Sequence, residues 1–259
     1  MNKFKMTLIA SSVVASLSAF TMPTYADDAP AVSVSGTAAV VSDYRYRGMS
    51  QTYKKPAVQV GINLGLPAGF YAGFWGSSIS NDALFNNKLV GLETDWFGGY
   101  HYTLNDDVGF DAGILYVYYP TTTGGSGINT TELHIAASYK WLTAQYNINA
   151  SKYYGMYDSK GTSYIQLDAH YPLTDSLKLD AHVGHQMFKG SQMDGTSNSD
   201  NNYTDWSLGA TYSLPQDWAV SLAYVDSNVK ESFDTATASD GSTKFLGGPT
   251  AVLSVTKSF

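Results

Sequence analysis

Residues 57–66 read AVQVGINLGL, and their side chains alternate strictly between large apolar types and small or polar types. In a β-strand, successive side chains point to opposite faces. The large apolar face of this segment consists of Val58, Val60, Ile62, Leu64 and Leu66. A soluble sheet also alternates, but its solvated face usually carries more lysine and glutamate than the glycine and amide side chains found here. The pattern therefore predicts a strand between lipid and a water-filled interior.

The same period of two continues along the chain from residue 32. Hairpins at 100–119, 169–188 and 210–225 repeat one plan, in which two alternating strands flank an aromatic residue and a short turn. The turns at 66–69 and 140–143 fit that plan, and long polar connections alternate with all five. The long connections are 49–55, 80–88, 120–129, 154–161, 189–202 and 226–244.

This spacing predicts about twelve strands, each long enough to cross a bilayer at a tilt. We place them near 32–47, 56–66, 69–79, 89–103, 108–119, 131–140, 143–153, 162–171, 177–188, 203–213, 218–226 and 249–259. The predicted fold class is all-β, a transmembrane antiparallel up-and-down β-barrel with short periplasmic turns and long extracellular loops.

The first 26 residues have the features of a cleaved secretory signal peptide: Lys3 and Lys5, an apolar run, and a small-residue end at Ala26. We therefore expect the barrel to occupy residues 27–259 in the outer membrane. Loss of the two lysines takes the formal net charge from -7 to -9, which argues against nucleic acid as a partner. The chain has no cysteine and therefore forms no disulfide. No later run of about 18 apolar residues could form a spanning helix, so the sequence predicts that the chain spans lipid as a closed barrel.

Aromatic residues beside the short turns predict an interfacial girdle facing outer-membrane lipid. They are Tyr102, Trp141, Tyr171, Tyr212 and Trp218. The segment 247–259 alternates and ends in Phe259, a pattern similar to the signal by which the barrel-assembly machinery recognises its substrates. Lys257 departs from this pattern, and we expect it to reach the interface along its aliphatic stem.

The stretch SDYRYRG, residues 42–48, predicts that ionisable side chains face the interior of the barrel. As an extension of the first strand it would direct Tyr44 and Tyr46 to the lipid interface, and Arg45 and Arg47 into the lumen. The acids that parity places in the lumen are Glu93, Asp95, Asp111, Glu132, Asp168, Asp180 and Asp205. Because acids exceed bases, we expect a mildly cation-preferring pore for small hydrophilic solutes. Alternatively, Arg45 and Arg47 only neutralise Glu93 and Asp95 as a structural network.

Other functions are weighed against the pore. His182 and His185 fall on opposite strand faces, and His134 and His170 lack further ligands at suitable spacing, so we expect no metal and no other cofactor. A lipid-hydrolase reading would pair Ser163 with His185 near the outer rim, but no orienting acid accompanies them, and we expect no enzyme. A closed structural or adhesion barrel and a soluble periplasmic β-protein are the remaining alternatives.

Three stretches resemble the TorF family of proposed porins. They are VSDYRYRGMSQT (41–52), PAVQVGINLGLPAGFYAGFWGSS (56–78) and GLETDWFGGYHY (91–102). The resemblance covers roughly the first third of the mature chain and implies an outer-membrane barrel and a pore. It supplies no catalytic residues and no solute.

Overall fold

Twelve antiparallel strands close into one barrel in the computed structural model, which describes residues 32–80, 91–120 and 127–259. In chain order the strands are β1 (Ser33–Val41), β2 (Arg45–Tyr46), β3 (Met49–Ser50), β4 (Ala57–Gly65), β5 (Phe70–Ser78), β6 (Leu92–Thr103), β7 (Val108–Tyr118), β8 (Thr130–Tyr139), β9 (Leu142–Asn149), β10 (Ser163–Pro172), β11 (Leu177–Met187), β12 (Tyr203–Leu214), β13 (Trp218–Ser227), β14 (Thr235–Thr237), β15 (Thr243–Phe245) and β16 (Thr250–Ser258). The strands β2 and β3 pair with each other, as do β14 and β15. The other twelve form the barrel and confirm the predicted fold class.

The barrel is closed by pairing between β1 and β16, from Thr37 opposite Ser258 to Val41 opposite Ser254. Backbone hydrogen bonds between Gly36 and Phe259 extend this seam by one residue. On its other side β1 pairs with β4, where Val41 lies opposite Ala57. Lys257 donates from Nζ to the carbonyl of Gln216 at 2.6 Å, in the turn between β12 and β13.

The two faces of the wall differ in chemistry as the alternation predicts. Large apolar side chains such as Ile62, Ile135 and Leu208 are exposed on the outer face. Polar side chains such as Gln166 and Thr211 are buried on the inner face. The girdle aromatics Tyr102, Trp141, Tyr171, Tyr212 and Trp218 all lie exposed beside short turns. An apolar exterior is stable in contact with lipid. The backbone N–H and C=O groups of the wall are hydrogen-bonded because strand pairing continues around the closed barrel.

The two ends of the barrel differ in the length of their connections. The short turns are 66–69, 104–107, 140–141, 173–176 and 215–217. Asn105 holds one of them by accepting hydrogen bonds from the backbone amides of Asp107 and Val108, both at 2.9 Å. The described parts of the long connections lie at the opposite end, which we call the long-loop end. No helix in the described ranges has the length and hydropathy of a transmembrane span.

The first strand is shorter than predicted, because it ends at Val41 and residues 42–56 turn into the barrel. We call residues 42–56 the strap. Tyr44 is 1% exposed and Tyr46 is 6% exposed, so the prediction that they face lipid is wrong. The chain turns inward because Asp43 accepts hydrogen bonds from Ser50 and Thr52, folding the segment back on itself. Arg47 and Gly48, with φ of 47° and 81°, form the bend between β2 and β3.

Candidate functional site

The inner face of the barrel brings together ionisable side chains from most of the wall. All seven predicted lumenal acids have inward-facing side chains, and Arg45 and Arg47 of the strap lie among them. At the long-loop end these groups are buried, whereas Asp111 and Asp180, nearer the short turns, are partly accessible. Their role as pore-lining residues stays a prediction.

The strap is attached to β6 through Tyr44. The hydroxyl of Tyr44 donates to Glu93, and the hydroxyl of Tyr119, just beyond β7, donates to the other carboxylate oxygen. The ring of Tyr44 also packs edge-on against Trp75, with centroids 5.3 Å apart. Asp95, two residues along β6, is fully buried, and neither carboxylate oxygen has a hydrogen-bond partner among the described residues.

Arg45 binds the strap to the last long loop. Its Nε donates to Asp43 at 2.6 Å, and its Nη1 donates to the carbonyl oxygens of Gly48, Leu246 and Gly248 at 2.7 to 3.1 Å. Arginine satisfies several acceptors at once because its donors form a fixed planar fork. These hydrogen bonds of Arg45 therefore hold the strap against the 228–249 connection.

Arg47 reaches the opposite wall. Its Nη2 donates to both carboxylate oxygens of Glu132 in β8, at 2.8 and 2.7 Å, and its Nη1 donates to the side-chain oxygen of Gln186 in β11 at 2.9 Å. Its guanidinium carbon lies 4.1 Å from the ring centroid of Tyr164 in β10. Arg45 and Arg47 thus pair with Asp43 and Glu132, so the alternative in which they neutralise Glu93 and Asp95 is wrong.

Gly48 allows the strap backbone to approach the wall at this level. A Cβ at this position would lie 2.7 Å from the Cβ of Asp205, closer than such atoms approach in proteins. Its φ of 81° is also in the left-handed region that favours glycine. Both requirements hold the bend, and with it Arg47, in place.

A second hydrogen-bond network surrounds His182, which shares the neighbour Tyr164 with Arg47. Its Nδ1 lies 2.6 Å from Asp168, and its Nε2 lies 3.0 Å from Asp205. The hydroxyl of Tyr164 lies 2.9 Å from that same Nε2 and donates to Asp205 at 2.9 Å. Gln166 donates to the second oxygen of Asp168. The network joins the adjacent strands β10, β11 and β12. It also orients the ring of Tyr164, whose face contacts the guanidinium of Arg47.

Two further histidine–aspartate groups lie nearer the short turns. His134 lies 2.7 Å from Asp111, which also accepts a hydrogen bond from Tyr71 at 2.9 Å. His170 lies 2.7 Å from Asp180. The Nζ of Lys178 lies 3.3 Å from the same carboxylate. Acids still outnumber lysine and arginine on the described inner face, so the interior has an acidic bias.

The lipid-hydrolase pair predicted from the sequence is not formed. The register places Ser163 opposite Met187 and places His185 opposite Ile165. His185 instead has its Nδ1 2.9 Å from the hydroxyl of Thr204. Within the described ranges, no group of three or more histidine, aspartate or glutamate side chains is arranged to hold a metal ion.

Three contributors to the site were not predicted: Asp43, Tyr164 and Gln186. Tyr164 and Gln186 have alternation signals too general to single them out, because their partners lie far away in sequence. Asp43 has local partners, but it lies in a stretch whose alternation predicted a continuous strand. Gly184 offers the one local signal, since it lies in an alternating strand and makes room for the ring of Tyr164.

Asp234, in the connection between β13 and β14, lies within electrostatic reach of Arg45 and Lys54. Burial raises the pKa of this carboxyl to about 7, although the charges of Arg45 and Lys54 partly oppose the shift. Its Oδ2 is buried without a hydrogen-bond partner among the described residues. The folded protein therefore keeps this proton to a higher pH than the unfolded chain does.

We expect Asp234→Asn to remove a pH-dependent cost of folding. As pH rises from about 4 to about 7, the wild-type unfolding free energy should fall relative to that of the variant, by up to about 4 kcal/mol. Urea unfolding in lipid bilayers at a series of pH values measures this difference. Glu231→Gln, at an exposed position of the same connection, is the control, and parallel profiles for wild type and Asp234→Asn would contradict the assignment.

A closed antiparallel barrel with an apolar exterior and an ionisable interior defines the class of membrane-spanning β-barrels. The chain belongs to the Gcw_chp family, described as a bacterial protein of unknown function, whose family model matches residues 25–259. The resemblance to the TorF family stays a prediction. The comparison with curated proteins gave no match.

Solved structures similar to this chain include porins. The KdgM porin gives a TM-score of 0.52 at 10% identity, covering 87% of this chain and 99% of that chain. The KdgM porin in complex with disordered oligogalacturonate gives 0.51 at 8% identity, with 87% and 98% covered. The NanC porin gives 0.49 at 9% identity, with 86% and 98% covered. At these identities the likeness concerns the fold alone.

Proposed function

We propose that this protein is an outer-membrane channel through which small hydrophilic solutes diffuse, with a mild preference for cations. The observation that carries the proposal is the chemistry of the barrel wall, which is apolar outside and ionisable inside. An interior of carboxylates, amides and hydroxyls can be hydrated, and its acidic bias favours cations near the wall. The partners would be outer-membrane lipid and the passing solutes. Residues 1–26, the predicted signal peptide, lie outside the described residues.

The filled long-loop end favours a second candidate, a closed structural barrel. The strap and the buried cluster of Tyr153, Phe188, Tyr203 and Val229 occupy this end. A barrel filled in this way can span lipid without conducting. Ion flow separates the two candidates.

Single-channel recording tests the proposal. Refolded residues 27–259 in a planar bilayer under a salt gradient should give current steps and a reversal potential on the cation-selective side. Stable insertion without current would overturn the channel and leave the closed barrel.

The partly accessible inward acids should contribute to ion preference. We expect Asp111→Asn with Asp180→Asn to shift the reversal potential toward zero, because the two substitutions remove accessible carboxylates from the lumen. Asp106→Asn, at an exposed short turn, loses the same kind of charge outside the interior and should leave the potential unchanged. A reversal potential unaffected by the double substitution would contradict this role.

A further inference from the structure

The strap is longer than its connection requires. It leaves β1 after Val41 and enters β4 at Ala57, and these two residues lie directly opposite each other in the sheet. Adjacent antiparallel strands can be joined by two to five residues. The remaining length of residues 42–56 is folded into the interior, where Arg45, Arg47 and Ser50 are all buried.

The strap also crosses the full width of the lumen. It begins and ends at β1 and β4, which are neighbours in the ring. Counting around the barrel from that pair in either direction, the opposite wall is formed by β9 and β10, flanked by β8 and β11. The contacts of Arg47 are to Glu132 in β8, Tyr164 in β10 and Gln186 in β11. Arg47 thus joins the strap to the wall diametrically opposite its own attachment.

The contacts that hold the strap differ between its two sides. Near its attachment, Tyr44 and Tyr46 pack in a buried apolar cluster with Val41 and Ala57. Its own hairpin has only two residue pairs, Arg45 with Ser50 and Tyr46 with Met49. Tyr44 and Arg45 fasten it to β6 and to the 246–248 segment. On the far side, Arg47 Nη2 donates to both carboxylate oxygens of Glu132, and charge-assisted hydrogen bonds are among the stronger bonds in proteins. The hydrogen bonds of Arg47 to the far wall are made by side chains, so they can break without opening the barrel ladder.

We propose that Arg47 is the residue that controls passage, by fastening the strap across the lumen to Glu132 and Gln186. This inference rests on the proposed channel. While the arginine is bound, the strap obstructs the long-loop half of the lumen. When it is released, the strap retracts toward β1 and β4, and the path along the opposite wall opens.

The variant that tests this proposal leaves the net charge of the interior unchanged. Removing Arg47 alone would leave Glu132 buried and unpaired, which destabilises folded proteins. The double variant Arg47→Gln with Glu132→Gln removes both charges together. The matched control is Lys140→Gln with Asp107→Asn, which removes an exposed ion pair of 3.8 Å at the short-turn end.

The test uses two readouts, single-channel recording and thiol labelling. Because the chain has no native cysteine, only an introduced cysteine reacts with the thiol reagent. The first is single-channel recording, where the double variant should increase the open probability by about tenfold or more, as expected for the loss of one charge-assisted contact. The second is reaction of Gln51→Cys, a buried strap position, with a membrane-impermeant thiol reagent. Labelling should accelerate by a similar factor in the double variant and remain slow in the control.

The outcomes separate this proposal from the channel itself. If wild type and the double variant conduct equally and label equally slowly, the role of Arg47 is overturned while the channel stands. If neither conducts although both insert, the channel is overturned and the control of passage with it. Increased current together with faster labelling supports both.

Discussion

Replacing Ile135 with arginine should lower the free energy of unfolding in a lipid bilayer by about 2 to 4 kcal/mol. Ile135 lies in the middle of β8, and 62% of its surface is exposed on the outer face. In lipid, an arginine there must lose its hydration or distort the bilayer. Urea unfolding of the protein in phosphatidylcholine vesicles measures the change.

The adjacent residue provides the control for this prediction. Ala136 points into the lumen and is paired in register with Asp111 of β7, an acid that could accept an added arginine. Ala136→Arg should therefore change stability by about 1 kcal/mol or less. A soluble periplasmic protein would tolerate arginine at its exposed position 135. Equal costs at the two positions would contradict a lipid-facing exterior.

Gly184→Ala should produce the second large loss of stability, about 3 kcal/mol. A methyl group on Gly184 of β11 would overlap the hydroxyl and ring of Tyr164. That ring is fully buried, carries Arg47 on its face and bonds Asp205. Displacement of this ring would disturb the His182 network and the contact by which Arg47 of the strap packs on Tyr164.

A double-mutant cycle identifies the cause of that loss. Because the overlap exists only while the ring is present, Gly184→Ala should cost much less in a Tyr164→Ala background. Gly127→Ala is the control, since the space around that glycine is open. Additive costs of the two substitutions would show that Gly184 acts through its backbone instead. Urea titration gives the unfolding free energies of the four proteins of the cycle and of the control.

The strands were predictable because the alternating pattern is local, and lipid on one side makes it strong. The segment 57–66 reads almost identically as β4 in the structure. The strap was not predictable by this rule, since Tyr44, Arg45, Tyr46 and Arg47 alternate just as a membrane strand does. What sends them inward is Asp43, which bonds Ser50 and Thr52 and folds the chain back.

The partners of Arg47 could not be predicted for a different reason. Glu132 and Gln186 lie 85 and 139 positions from Arg47 in sequence. Which of the inward acids meets the guanidinium depends on the register of every strand between them. The sequence established that acids and arginines share the interior, whereas their pairing required the closed barrel.

The seam between β1 and β16 has a consequence for the order of folding. The barrel's other strand pairs join consecutive barrel strands, but this one joins residues more than 200 positions apart, such as Val41 and Ser254. Closing so long a loop is entropically costly, so the sheet should assemble first as an open ribbon with two unpaired edges. The strap is tied to the same late event, because Arg45 bonds the carbonyls of Leu246 and Gly248. Closure of the ring and obstruction of its interior thus belong to one final step, and the ribbon's edges are vulnerable to mispairing until it occurs.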